Sequence, residues 1–301
     1  MQWAWLRTRA RELWQARFPV CQQSPCSRRG KLWGKAAAHS LWLHQARYCS
    51  AQCFEAALRS HLSALGPSSL SPPAIHHRIP LGLLLLARGQ LTESQLRAAL
   101  QAQSGRGGRL GYWLENLGFA TEVQITAALA RQWACPVLPA IENAPGYEGM
   151  VPFHLQKKFR MLPVQFVAGR NVLHIAFSEA IEYAALFAIQ EILDCRTEPC
   201  LIGSREMQRS LERAARQTHA GEKLFEGWHD PADMARIAAG YVMQTGSRRA
   251  RVAACGDCVW VFLESASGKT HLLFRRPCPS AAEDAAGRAA CPILPRPPAT
   301  Y

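Results

Sequence analysis

The chain has 301 residues, 49% of them hydrophobic, and carries a formal net charge of +13. That is enough apolar material for two or three domains. No apolar run approaches the roughly 18 residues of a membrane span, which excludes an integral helical membrane protein on the pattern of the sequence. The charge favours anionic partners in general.

The first twenty residues mix Trp3, Trp5, Leu6 and Trp14 with Arg7, Arg9, Arg11 and Arg17. A secretory signal keeps its charges ahead of an apolar core, so this pattern reads instead as an amphipathic helix, surface-seeking or packed. With no signal pattern, the eleven cysteines suggest thiols or metal in a reducing compartment rather than a disulfide framework, and hence a cytoplasmic protein. Cys21-x4-Cys26 and Cys49-x3-Cys53 come first. Four thiolates in two close pairs are what a tetrahedral Zn²⁺ site requires, and His39 or His44 could replace one of them. The alternative is a set of unpaired buried cysteines. Phe54 to Leu65 reads as a helix that carries on from the last ligand. Residues 1–66 are therefore expected to form a basic N-terminal helix and a zinc-finger-like module. Residues 67–78 follow as a Pro-, Ser- and Gly-rich linker, which includes the adjacent pair His76-His77.

From Pro80 the same unit is written twice. The first copy holds Pro80, Leu81, Gly82, Gly89, Leu91, Thr92, Leu96, Leu100 and Gln103. The second holds Arg109, Leu110, Gly111, Gly118, Phe119, Thr121, Ile125, Leu129 and Gln132, and Ser104–Gly108 separates the copies. Such a repeat marks a supersecondary unit that cannot bury its apolar face alone. Each copy predicts a short helix, a turn at Gly89 or Gly118, and a second helix. Thr92 with Gln95, and Thr121 with Gln124, have the spacing of a capping box.

Beyond the repeat, Cys135–Pro139 is extended. Val151–Arg160 reads as helix, and Met161–Phe166 and Val172–Phe177 as strands around the turn Ala168-Gly169-Arg170-Asn171. Ala180–Leu193 (helix), Glu198–Ile202 (strand) and Arg205–Gln217 (helix) complete a small sandwich. Residues 218–229 look like a second linker. Residues 230–276 predict a helix from Pro231 to Gln244, with Asp230 as its N-cap, then strands at Arg249–Ala254, Val259–Glu264 and His271–Phe274. Cys255-x-x-Cys258 falls between two of these as a turn. Residues 277–301, rich in Pro, Ala and Ser, read as a disordered tail. The fold class expected is α+β: a helical duplicated repeat over 79–217 with its α/β sandwich, a small N-terminal zinc module, and a C-terminal helix plus β-meander.

The doubled pattern Arg-Leu-Gly, a later Gly, then Leu-x-x-x-Leu-x-x-Gln resembles the MshEN domain. That domain heads many type II secretion and type IV pilus assembly ATPases and binds cyclic di-GMP. The following helix–strand–strand–helix–strand–helix order is similar to the second half of the same N-terminal region, so the resemblance covers roughly Ile79 to Ala215. It implies that Leu81, Gly82, Leu96, Leu100 and Gln103 line one half-site, and Arg109, Leu110, Gly111, Ile125, Leu129 and Gln132 the other. The chemistry is consistent with that assignment. Cyclic di-GMP is a dianion with two flat bases. Glycine permits close backbone approach, Leu and Ile offer apolar faces, Gln can bond a base edge, and Arg109 can stack and supply charge. The first copy has Pro80 where the family has Arg, with Arg78 and Arg106 nearby as possible replacements. Tyr48-Cys49-Ser50-x-x-Cys53-Phe54 likewise resembles the second knuckle of small treble-clef-like zinc modules.

The family usually ends in an ATPase motor, which needs a G-x4-G-K-[ST] phosphate loop opening a helix. Gly268-Lys269-Thr270 is the candidate triplet, but Leu263 stands where the loop's first Gly belongs. The expectation is a bacterial regulatory or adaptor protein of secretion or pilus machinery with no catalysis of its own. Its expected partners are cyclic di-GMP and a secretion or pilus assembly protein, with zinc as a structural ion. The alternatives are a pure interaction module with a decayed nucleotide site, or a nucleic-acid-binding zinc adaptor.

Overall fold

The computed structural model describes residues 21–23, 26, 40–65, 78–138, 149–216, 221–266 and 268–275. The expected N-terminal helix over 1–20, most of the 67–78 linker and the expected tail over 277–301 lie outside those residues. In chain order the described elements are β1 (Leu41–Leu43), β2 (Ala46–Tyr48), α1 (Ala51–Ala64), α2 (Leu81–Ala87), α3 (Glu93–Arg106), α4 (Leu110–Asn116), α5 (Glu122–Trp133), α6 (Phe153–Phe159), β3 (Met161–Val167), β4 (Val172–Phe177), α7 (Tyr183–Leu193), β5 (Arg196–Leu201), α8 (Ser204–Ala215), β6 (Glu222–Trp228), α9 (Pro231–Thr245), β7 (Arg249–Cys255), β8 (Cys258–Ser265) and β9 (Gly268–Arg275). Among the described residues the class is α+β with two sheets, and the chain divides into two compact units. Among the described residues no helix is long and apolar enough to cross a membrane.

The unit centred on residues 70–222 contains the repeat and the three-stranded sheet, in the order β3-β4-β5. Both capping boxes form. Gln95 N donates to Thr92 Oγ1 while Thr92 N donates to Gln95 Oε1, and Thr121 and Gln124 exchange the same bonds. Each satisfies two amides that a helix start leaves without an intrahelical partner. Gly89 and Gly118 take positive φ values of 63° and 69° after the first helix of each copy, a conformation that costs a residue with a side chain more than it costs glycine. Thr92→Ala and Thr121→Ala should each lower stability by about 1 kcal/mol, measurable by urea denaturation, with equal losses because the two caps are built alike.

The expected hairpin forms: β3 pairs antiparallel with β4, with Asn171 left-handed in the turn. β5 then joins β4 in parallel. Parallel neighbours need a crossover, supplied by α7, whose Ala185, Leu186, Ala188, Ile189 and Ile192 are buried. The extended segment at Cys135–Pro139 contributes a single parallel bridge, Val137 to Leu201.

The other unit departs from the expected modular order. Its six strands run β2-β1-β7-β8-β9-β6. The N-terminal hairpin thus shares one sheet with the C-terminal meander, through parallel pairing of Trp42 with Arg249 and Leu43 with Ala250. The segment that composition marks as a linker contains edge strand β6. Its Glu, Lys and Gly content hides a strand whose identity comes from pairing, and Phe225 within it stacks on Phe274 of β9 at 4.6 Å between centroids. The core under this sheet joins Phe54 and Leu58 of α1, Met234 and Ala238 of α9, and Val252 and Val261 of β7 and β8. Cys255 ends β7 and Cys258 begins β8, and the two pair across the turn between the strands. Gly268, Lys269 and Thr270 open strand β9, not a helix.

Candidate functional site

The repeat folds so that each copy completes the other. α2 packs on α5, and α3 packs on α4, so the second helix of one copy lies against the first helix of its counterpart. The glycines make this possible. A Cβ on Gly82 would stand 2.6 Å from Leu96 Cδ1 and 3.4 Å from Leu110 Cδ2. A Cβ on Gly111 would stand 3.2 Å from Ile125 Cγ2 and 3.7 Å from Leu81 Cδ2. Each glycine is therefore covered by the second helix of its own copy and by the leucine that opens the other copy. Leu81 reaches the Gly111 side and Leu110 the Gly82 side, an exchange the half-site grouping by copy does not contain.

The glutamines obey the same symmetry. Gln103 Nε2 donates to the carbonyl of Gly108 at 3.0 Å, and Gln132 Nε2 donates to the carbonyl of Ile79 at 2.7 Å. These carbonyls belong to the residues immediately before Arg109 and Pro80. Each Gln thus uses its amide N–H to hold the backbone ahead of the first helix of a copy, a bond that the base-edge expectation omits. Leu85, Ala99, Leu114 and Ala128 are fully buried between the copies. Leu100 remains 46% exposed and Leu129 half-buried, so apolar surface stays available at the repeat.

The charged groups are not symmetric. Arg109 precedes α4 as its N-cap residue, and its guanidinium pairs with Glu179, just beyond β4. Arg160 Nε also approaches Glu179, at 3.6 Å. Lys158 and Glu182 complete the charged lining of a small cleft there. Pro80 occupies the equivalent place before α2 and has no such group to offer. Arg78, two residues earlier, lies over Trp133, its guanidinium carbon 3.4 Å from the ring centroid, with Tyr183 farther out at 5.9 Å. Trp133 adjoins Gln132, which holds Ile79, so this cation lies close to the start of the first copy. Arg106 sits over Trp113 instead, at 5.7 Å. Glu179, Arg160 and Trp133 are the neighbours sequence reasoning missed. None belongs to the repeat motif: Trp133 follows its last residue without a counterpart in the first copy, where Ser104 follows Gln103, and no local spacing ties Arg160 or Glu179 to it.

The four cysteines of the other expected site lie together. Cys21, Cys26, Cys49 and Cys53 come together with their Sγ atoms all within 4.8 Å of one another. Burial and the neighbouring thiols push the Cys49 thiol up to about 12. Of the possible histidine replacements, His39 lies outside the described residues. His44 is engaged elsewhere: Val252 N of β7 donates to its Nε2 at 3.2 Å, and burial lowers its pKa to about 4.

No protein-family model matches the chain. Among curated proteins it is similar to the type IV pilus assembly ATPase PilB of Thermus thermophilus, 25% identical over 121 residues, 40% of this chain. The match spans 14% of the length of PilB. Among solved structures it is similar to MshE with cdg, at 30% identity over 46% of this chain and 99% of that one, with a TM-score of 0.37. It is also similar to the N-terminal domain of XpsE, at 18% identity over 44% and 92% of the two chains, with a TM-score of 0.33.

Proposed function

We propose that the doubled repeat is a binding module for cyclic di-GMP in a regulatory or adaptor protein of type II secretion or type IV pilus machinery, with no catalytic step of its own. The observation that carries this reading is the reciprocal packing of the two copies. Gly82 and Leu110 meet on one side, and Gly111 and Leu81 on the other. The protein presents this glycine–leucine pairing twice, and a cyclic dinucleotide presents two bases and two phosphates. The leucines would offer apolar surface to the bases, and Arg109 and Arg78 would offer charge to the dianion. The likeness to PilB supports the association with pilus machinery. The Gly268-Lys269-Thr270 triplet begins a strand, so it lacks the helix start that lets a phosphate loop cradle its ligand.

One observation favours a second reading, an interaction module of the same fold with a lost nucleotide site. Arg109 already has a carboxylate partner in Glu179, and the first copy has Pro80 in place of an arginine. Calorimetric titration of the full chain with cyclic di-GMP at fixed salt separates the two. Saturable binding at one dinucleotide site per chain is expected. A flat titration would transfer the module to the second reading.

A further inference from the structure

The cysteine cluster has the dimensions of a metal site. A tetrahedron with metal–sulfur bonds of about 2.3 Å has sulfur–sulfur edges of about 3.8 Å. The Sγ separations are 3.6 Å for Cys26–Cys49, 3.7 Å for Cys49–Cys53 and 3.8 Å for Cys26–Cys53. A disulfide would bring a pair to about 2.05 Å. With all four Sγ atoms within 4.8 Å of one another, the space between them takes one ion and not a multi-iron cluster. Four sulfur ligands in this arrangement select Zn²⁺ over the hard cations, which take oxygen.

The surroundings complete the case. Four thiolates on one Zn²⁺ leave a net charge of −2, which needs compensation. Cys49 and Cys53 flank the start of α1, a helix of 14 residues, whose N-terminal end carries partial positive charge. Ser50 Oγ, the N-cap, accepts from Cys53 N at 3.3 Å and so fixes the turn that carries two of the ligands. The other two are carried by the segment before β1. Gln22 N in that segment donates to Arg47 O of β2 at 3.0 Å, and Cys21 is fully buried in the core that joins α1, α9, β7 and β8.

We infer that Cys21, Cys26, Cys49 and Cys53 hold one structural Zn²⁺, and that this ion staples the N-terminal segment and α1 onto the six-stranded sheet. Binding converts the four thiols to thiolates and releases their protons to solvent. With four protein ligands the ion has no open position for water or substrate, so the site is structural. Because β1 pairs with β7 and α1 packs on α9, losing the ion loosens elements near both ends of the chain.

The test uses the full chain purified without chelator. Elemental analysis should give about one zinc per chain, and Cys49→Ser should reduce it to near zero, while Cys135→Ser, outside the cluster, should leave it unchanged. Replacing the metal with Co²⁺ in the parent should give the visible bands of a tetrahedral tetrathiolate site, a readout that does not depend on whether Cys49→Ser folds. Chelation should increase hydrogen exchange in β7 and α9 as well as in α1. A folded chain without metal, iron in place of zinc, a non-tetrahedral cobalt spectrum, or zinc retained in Cys49→Ser would overturn the site. Unchanged exchange in β7 and α9 after zinc loss would overturn the staple.

Discussion

Arg109→Ala should weaken cyclic di-GMP binding roughly tenfold to a hundredfold. A charge-assisted hydrogen bond is worth about 1.5–3 kcal/mol, and Arg109 is the guanidinium the second copy keeps where the first has Pro80. In the structure that guanidinium is paired with Glu179 while its side chain stays 58% exposed. A pair this open to water is worth about 0–1 kcal/mol, less than a ligand phosphate returns, so the dianion should win Arg109 from the carboxylate. Glu179→Gln removes the competitor and should tighten binding by up to about fivefold, the fold-change that corresponds to about 1 kcal/mol. Arg78→Ala should weaken binding at the first copy, and Pro80→Arg should strengthen it. All four variants are read by the same titration at one salt concentration, because the charge contribution is screened. If Arg109→Ala binds as tightly as the parent, Arg109 is not a ligand contact and the half-site assignment fails, even where the parent binds.

What the sequence reveals about this chain is its local chemistry. Thr92 and Gln95 are three residues apart, so a capping box can be read from spacing alone, and the second copy repeats it at Thr121 and Gln124. The β3–β4 hairpin is legible for the same reason, since both strands and the Ala168–Asn171 turn are contiguous. The four cysteines were legible as two pairs, although only the fold brings Cys26 to Cys49. What escapes is non-local. β1 and β2 have three residues each, too few to show a period of two. The partner of β1 is β7, some two hundred residues away in the numbering, so the N-terminal and C-terminal segments read as separate modules when they share a sheet. Glu179 escapes likewise: nothing near Ser178 or Ala180 announces that its carboxylate meets Arg109. The bonds of Gln103 to Gly108 and of Gln132 to Ile79 escape as well, because recurrence marks a residue without naming its partner.

Gly82→Val should destabilise the repeat by about 1–3 kcal/mol, the usual cost of inserting carbons into a packed contact. Helix propensity alone favours the substitution by a few tenths of a kcal/mol, because glycine is the poorer helix former, so any net loss measures the contact. A Cβ at this position would lie 2.6 Å from Leu96 Cδ1, and valine adds two methyl groups beyond it. Leu96 is only half-buried and its end can turn aside, which keeps the cost below that of a clash with backbone. Leu110 stands on the other side at 3.4 Å, so the displaced side chain presses on the opening residue of the second copy. Gly111→Val should cost less, since Ile125 Cγ2 is 3.2 Å away and Leu81 Cδ2 3.7 Å. Leu96→Ala should recover part of the loss from Gly82→Val. Residues in contact show coupling of about 0.5–3 kcal/mol, whereas distant ones add within about 0.5 kcal/mol. Urea denaturation of the two single variants and the double variant measures that coupling directly. Additive losses, or a Gly82→Val chain as stable as the parent, would mean that Gly82 does not sit in the close contact with Leu96 that joins the two helices of the first copy.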